Sequence, residues 1–308
     1  MGHLFRSINL YKIIENNKKS ATVLLLGKHQ PSIAWLQNER IRFEVVEESQ
    51  INKVGWESEI INIIKPTVWI NDRLNTGINH ASNIKDKKIT LVTFDDCGSG
   101  ARISDLNVFA LAKIRAEIVE GKKVLIGVEY LVLSDDINHY RRIRDQLNSI
   151  VVSLGGSDTY GVTSRVIEWL NRRKESATVI LGPGFQHRDS LDRMAIKNIS
   201  IKRSLKSLHA EFYKHDLLIT GGGLTAFEAA AAGLPTITIA NEKWEVAHAK
   251  HLERIGCSVY SGRYDCFDLT KAYQGVSIRN MSENAMNLVK PDGGARVFQE
   301  ILSTGKGI

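Results

Sequence analysis

Short apolar runs alternate with amphipathic stretches from one end of the chain to the other, and this alternation limits the possible folds more than any other feature. Runs of this kind separated by helical patterns mark βαβ units, whose strands lie parallel because each crossover helix returns the chain to the same edge. In the first half the spacing predicts strands at 22–26, 43–46, 67–70, 89–94 and 105–109. In the second half it predicts them at 150–154, 178–181, 198–201, 217–220, 236–239 and 258–260. The chain has 308 residues, and a domain typically uses about 150, so the two similar halves read as two α/β domains. The polar stretch at 134–148, SDDINHYRRIRDQLN, precedes a fresh strand and a glycine turn. The expected division is therefore 1–148 and 149–308, with helices near the carboxyl end that cross back over the first domain.

Apolar residues at 43% and charged residues at 24% exclude disordered and fibrous classes. Residues 217–240 are apolar enough to suggest a membrane span, but Gly221 to Gly223, Glu228 and Gly233-Leu234-Pro235 fit a strand, a turn, a helix and another strand instead. The amino end lacks an uninterrupted apolar stretch of signal-peptide length, so a cytoplasmic protein with no membrane span is expected. Cys97, Cys257 and Cys266 form no CxxC pair, which argues against structural zinc and suggests buried thiols in a reducing compartment. A net charge of +7 favours anionic ligands. The basic cluster at Lys202, Arg203 and Lys206 lacks interleaved aromatics, which argues against nucleic acid.

The most informative motif is TGGGLTAFEAAAAGLP, where a buried strand empties into Gly221, Gly222 and Gly223 and a helix follows at Leu224 and Thr225. Glycines there let the chain backbone approach a ligand, and the free N–H groups at the helix start bind an anion such as a diphosphate. Glu228 follows within two turns, where a carboxylate can accept hydrogen bonds from both hydroxyls of a ribose. The competing reading is a glycine-rich turn whose Glu complements the helix dipole. A second glycine turn, SLGGSDTYG, offers Gly155, Gly156, Ser157 and Asp158, either as ligand contacts or as helix caps.

At the amino end, GHLFRS puts His3 at the start of an amphipathic helix, in a position suited to a base. Asn71 and Asp72 end one predicted strand, and Asp95 and Asp96 end another. These side chains either reach a ligand or cap the next turn. Glu245, His248 and His251 share one helix face, but a single Glu-x-x-His-x-x-His without a second ligand set argues against a metal site. No cofactor is called for.

Taken together, GHLFRS, SLGGSD, TGGGLTAFEAAAAGLP and the helix ending at Gly256 resemble, in order, the UDP-sugar hydrolase family of pseudaminic acid biosynthesis. They are also similar to its relatives in spore-coat polysaccharide synthesis and to the glycosyltransferases that use UDP-N-acetylglucosamine in peptidoglycan assembly. WIND, TFDDCGSGARISD and NEKWEVAH look closer still to the hydrolase-like domain fused behind CMP-sialic acid synthetases. The resemblance implies a GT-B-like pair of Rossmann-type domains with parallel sheets facing a cleft, the second domain holding UDP. It implies His3 as the catalytic base in water attack at the anomeric carbon. It further implies Glu228 at the ribose, and Arg6, Asn71, Asp72, Asp96, Asn241 and His248 as candidates for sugar contact. The implied partners are a UDP-sugar and a CMP-nonulosonate synthetase, fused or separate. A glycosyltransferase or an inactive nucleotide-sugar-binding module shares the same motifs. Two departures stand out: Asn241-Glu242 occupies the place of an Asn-Gln pair, and the strand and glycine turn that precede Gly-His in the family have no counterpart here.

Overall fold

A computed structural model describes residues 2–111, 119–187, 189, 191, 194, 198–203, 205 and 207–305. Lys206 of the basic cluster lies outside them. The chain divides into two compact units, Met1–Ser134 with Pro291–Ile308 and Asp135–Lys290. The division falls ahead of the polar stretch rather than at its end near Asn148. Arg142 and Arg144 explain why, since both side chains donate to backbone carbonyls around Tyr213 and His215 and so belong to the second unit.

The first unit opens with α1 (Gly2–Asn16) and holds two separate parallel sheets. One pairs β1 (Val23–Leu26) with β2 (Phe43–Val46). The other runs in the order β3 (Val68–Asn71), β4 (Thr90–Phe94), β5 (Leu106–Phe109) and β6 (Val124–Ile126). Helix α2 (Gln30–Asn38) connects β1 to β2, and α3 (Glu48–Ile51) and α4 (Glu57–Ile64) lie between β2 and β3. β5 is buried at every position, as expected of a central parallel strand covered on both faces. The helix from Gly293 to Thr304 belongs to this unit and packs against α1. Its Gly294 lies so close to Ile13 Cδ1 that an added methyl group would stand 2.4 Å from it.

The second unit is one six-stranded parallel sheet of β7 (Ile150–Ser153), β8 (Ala177–Leu181), β9 (Ile199–Arg203), β10 (Leu217–Gly221), β11 (Thr236–Ala240) and β12 (Ser258–Arg263). Its order is β12-β11-β10-β7-β8-β9. The sheet grows outward from β7 to β9, then restarts on the other side of β7 with β10. The order therefore reverses between β7 and β10, and in open α/β sheets this switch point is where ligands bind, beyond the carboxyl ends of the strands. The apolar stretch at 217–240 resolves into β10, a helix at Leu224–Ala231 and β11, and among the described residues no helix is long and apolar enough to cross a membrane.

One expectation fails locally. Cys97 and Cys266 are exposed and only Cys257 is buried, because the first two sit in loops after strands while Cys257 follows the helix that leads into β12. Trp56 is buried: its ring stacks on His80 at 5.6 Å and meets Trp69 edge-on at 6.0 Å.

Candidate functional site

Both glycine turns leave the sheet at the switch point of the second unit, one after β7 and one after β10. The turn after β10 leads into the helix Leu224–Ala231, whose first residues carry no side-chain cap. Its leading N–H groups, at Leu224 and Thr225 among others, have no partner inside the helix by geometry. Gly222 is required for a steric reason, since a Cβ there would lie 2.7 Å from the Glu245 carbonyl oxygen. Glu245 closes the turn from the far side: its Oε2 accepts from the N–H of Asn241 at 2.7 Å and of Gly222 at 3.2 Å. Burial raises its pKa above the usual carboxylate range despite those bonds. The sequence noted Glu245 only for sharing a helix face with His248 and His251, and the structure turns its carboxylate to the glycines. His248, from the same face and a candidate for sugar contact, packs against the rings of Phe227 and Trp244. Thr220 Oγ1 and Asn241 Oδ1, at the carboxyl ends of β10 and β11, are buried without a hydrogen-bond partner among the described residues. Buried polar atoms in that condition are matched in working proteins by a ligand or water. Glu228 is buried on the same helix, its Oε1 3.4 Å from His209 Nε2.

The turn after β7 shows a divided outcome. Asp158 is a cap: its carboxylate accepts from Val162 and Thr163 N–H at 2.9 Å each, and its polar atoms are committed to the helix start. Ser157 meets Thr159 Oγ1 at 3.1 Å, and Gly155 and Gly156 stay clear of side chains. Their carbonyls instead face Gly182, where a Cβ would lie 2.3 and 2.4 Å from the two oxygens. Sequence reading missed Gly182, although Gly182-Pro183-Gly184 directly after a strand was a usable signal.

In the first unit His3, Arg6 and Asp72 form one cluster. His3 lies in the first turn of α1, with its side chain 49% exposed, and its Nδ1 is 2.6 Å from Asp72 Oδ1 at the end of β3. Arg6, one turn further along α1, grips Asp72 with two nitrogens, the Nε bond being 2.8 Å, and reaches Asp95 with a third. Its guanidinium also stands 4.9 Å from the centre of the Phe94 ring. Burial opposes charge on Asp72, but the hydrogen bonds and charge of Arg6, aided by His3, outweigh it and hold the carboxyl below its usual range. Burial likewise opposes the charge of Arg6, and Asp72 and Asp95 reverse that, so the pair is ionised. A carboxylate on Nδ1 fixes the imidazole with its Nε2 lone pair available, which is the form that takes a proton. Arg6 and Asp72, candidates for sugar contact on the sequence, here bond to each other and both approach His3 Nδ1. Asn71 and Asp96 turn inward: Asn71 accepts from Trp69 Nε1 at 2.9 Å and donates to Thr76, and Asp96 accepts from the N–H of Thr76 and Gly98. Both hold the loops after β3 and β4.

No protein family model matches the chain. The uncharacterized protein MJ1062 of Methanocaldococcus jannaschii is 26% identical over 279 residues, which cover 83% of this chain and 56% of that protein. The chain thus spans little more than half of that relative. The spore coat polysaccharide biosynthesis protein SpsG of Bacillus subtilis is 22% identical over 324 residues, covering 100% of this chain and 91% of that protein. Among solved structures, MurG of Acinetobacter baumannii superposes with a TM-score of 0.72 at 14% identity, covering 98% of this chain and 96% of that one. The UDP-GlcNAc 2-epimerase of Neisseria meningitidis, solved with UDP-GlcNAc, gives 0.63 at 12% identity over 98% and 96%. At these identities the likeness establishes the fold: two Rossmann-type α/β units, as in GT-B glycosyltransferases and the epimerases.

Proposed function

We propose that the chain is a nucleotide-sugar enzyme that hydrolyses a UDP-amino sugar to UDP and the free sugar, in surface-polysaccharide or nonulosonic acid synthesis. The observation that carries the nucleotide part is the meeting of two glycine turns at the sheet's switch point, beside an uncapped helix start and two unpartnered buried polar atoms. A diphosphate fits the N–H groups behind Gly221 to Gly223, with Gly155, Gly156 and Ser157 on its other flank. Glu228 takes the ribose hydroxyls, and Asn241 and His248 lie near enough in the chain to meet the sugar. The likeness to the spore coat polysaccharide biosynthesis protein SpsG supports the pathway, and the fold shared with an epimerase that binds UDP-GlcNAc supports the substrate class.

His3 is the proposed base. A water oxygen attacks the anomeric carbon while His3 Nε2 takes its proton, the bond from that carbon to the β-phosphate oxygen breaks, and UDP leaves with the electron pair. The helix start behind the glycines stabilises the negative charge on the departing diphosphate, so no glycosidase-type pair of carboxylates is required. The same dyad would activate an acceptor hydroxyl, and the fold shared with MurG favours that transferase reading as the second one. Proton NMR of the chain with a panel of UDP-amino sugars and no acceptor separates them. UDP and a reducing sugar released by the intact protein, and not by His3→Ala with unchanged UDP affinity, is the expected result. UDP binding without release points to the transferase, and an absence of UDP binding rejects both.

A further inference from the structure

The proposed reaction leaves one buried polar cluster of the first unit unused. Glu57 in the first turn of α4 and His80 near the start of α5 (Ile78–Asp86) pair through Oε1 and Nδ1. Glu57 is 2% exposed, and its Oε2 accepts from Asn83 Nδ2 at 3.3 Å. The His80 ring stacks on Trp56 and meets Trp69 edge-on at 5.8 Å, which shields the pair from water. On its other side His80 Nε2 lies 3.2 Å from Asn71 Oδ1. From there the bonds continue through Asn71 and Thr76 to Asp96, all three buried.

These bonds fix the number of protons in the cluster. Trp69 Nε1 can only donate, so the Asn71 atom it meets at 2.9 Å is the amide oxygen, and the Asn71 nitrogen donates to Thr76 Oγ1. Thr76 Oγ1 in turn donates to one oxygen of Asp96, whose other oxygen accepts from the N–H of Thr76 and Gly98. His80 Nε2 therefore faces an acceptor, and Nδ1 faces a carboxyl oxygen. A neutral ring beside an ionised carboxylate leaves one repulsion whichever nitrogen holds the proton: Nδ1 against Glu57, or Nε2 against Asn71. Water cannot relieve either contact in a buried site, and one further proton removes both. Burial pushes the His80 pKa down, against the bond and charge of Glu57. Of the other charged groups that face the ring, Arg73 adds to the fall and Asp96 opposes it. A free imidazolium is disfavoured there, so the further proton belongs to the pair rather than to the ring alone.

We propose that Glu57 and His80 hold one proton between them at neutral pH, and that they are positioning residues for the strand ends that carry Asp72 and Asp95. Each carboxylate that grips Arg6 is the chain neighbour of a member of the network: Asn71 precedes Asp72, and Asp96 follows Asp95. Asp95 needs such an anchor, because its φ of 49° lies in the left-handed region that residues other than glycine occupy under strain. The bonds from Asp96 to the loop after β3 hold that turn in place. Loss of the proton leaves a buried negative charge and turns one contact of the network repulsive, which loosens the end of β3 and Asp72 with it. The catalytic consequence rests on the proposed role of His3, whereas the proton count does not.

The proton is counted first, in the full chain without nucleotide. Long-range 1H–15N NMR is expected to show a protonated Nε2 on His80 at pH 7, and both ring nitrogens should shift together with the Glu57 carboxyl carbon in one alkaline step. A bare Nε2, or no such step, overturns the inference. Denaturant melts against Glu57→Gln give the second count, since the glutamine amide donates to Nδ1 with no titrating proton. Unfolded, the two groups release their protons by about pH 6.5, so the pair's contribution is complete below that value and is lost as pH rises to the alkaline step. The folding constant of the parent should fall relative to the variant by about tenfold per pH unit above about pH 7, and parallel curves overturn the shared proton. Release of free sugar from a UDP-amino sugar is expected to fall about tenfold or more across the alkaline step in the parent and not in Glu57→Gln. An equal fall in both overturns the positioning role. No release at any pH, with the alkaline step present, supports the shared proton and rejects the hydrolase reading instead.

Discussion

Asp72→Asn tests the dyad most directly. The substitution keeps size and one oxygen but removes the charge that sits on His3 Nδ1 and on two nitrogens of Arg6. Two effects follow and can be measured apart. For stability, breaking a buried ion pair costs about 3–5 kcal/mol, but Asp95 still neutralises Arg6 here, so about 2 kcal/mol is expected. For turnover, the amide can turn its NH2 toward Nδ1 and stabilise the tautomer with the proton on Nε2, which cannot act as a base. General-base assistance contributes 10²- to 10⁴-fold, so kcat should fall by about that factor, or about 2.7–5.4 kcal/mol in the barrier. The proposed UDP site is built from the glycine turns after β7 and β10, and UDP affinity should stay within about twofold. The assay is release of free sugar by NMR, with calorimetry for UDP and thermal melting for the fold. A kcat within about threefold of the parent in a folded variant would refute the assignment of Asp72 as the residue that positions His3. The pH dependence has a defined sign. Asp72 is held below its usual range in the folded state, so its stabilising contribution is present above about pH 4 and disappears as pH falls through the folded value. The stability gap between parent and variant should close in acid and stay constant at neutral pH.

Glu211 gives a parallel test in the second unit. Burial opposes its charge, but Lys202, Lys214 and His215 hold its pKa down to about 2. After discounting for the solvent around the lysines, Glu211→Gln should cost about 2 kcal/mol at pH 7, a loss that fades between pH 4.5 and 2 in denaturant melts. Gly182→Ala pushes a methyl group onto the Gly155 and Gly156 carbonyls, and should cost about 1–3 kcal/mol and weaken UDP binding at least tenfold by calorimetry. Glu228→Ala should weaken UDP binding strongly while leaving Asp72→Asn additive with it, and unchanged UDP affinity in this variant would remove the ribose assignment.

Patterns local in sequence were legible, and those set by contacts across the chain were not. The strands emerged from their apolar runs to within one to three residues, because burial on both faces writes itself into consecutive Val, Ile and Leu. β6 escaped, since Val124 to Ile126 is too short to stand out. The glycine turns announced themselves because close approach leaves few residue choices. What they face was not legible: Glu245 closing the Gly222 turn and Gly182 against Gly155 depend on which strands become neighbours. Asp72 joins His3 and Arg6 from more than sixty residues away, and nothing in WIND distinguishes a carboxylate aimed at a histidine from one aimed at a sugar. Arg144 is the sharpest case. It lies in the polar stretch at 134–148, yet it is fully buried and donates to the carbonyls of Arg142, Phe212, His215 and Ala232. One charged side chain anchors the stretch to the second unit by satisfying backbone groups no motif records.

The return of Pro291–Ile308 to the first unit bears on how the protein is made. The second unit is one unbroken segment, and it can fold on the ribosome as soon as Lys290 has left the exit tunnel. The first unit cannot: its α1, translated ahead of the whole second unit, must wait for the Gly293–Thr304 helix that covers it. The order of folding is then the reverse of the order of synthesis, and a nascent chain stalled before Pro291 would carry a finished carboxyl-terminal unit behind an amino-terminal one with its apolar face open to chaperones.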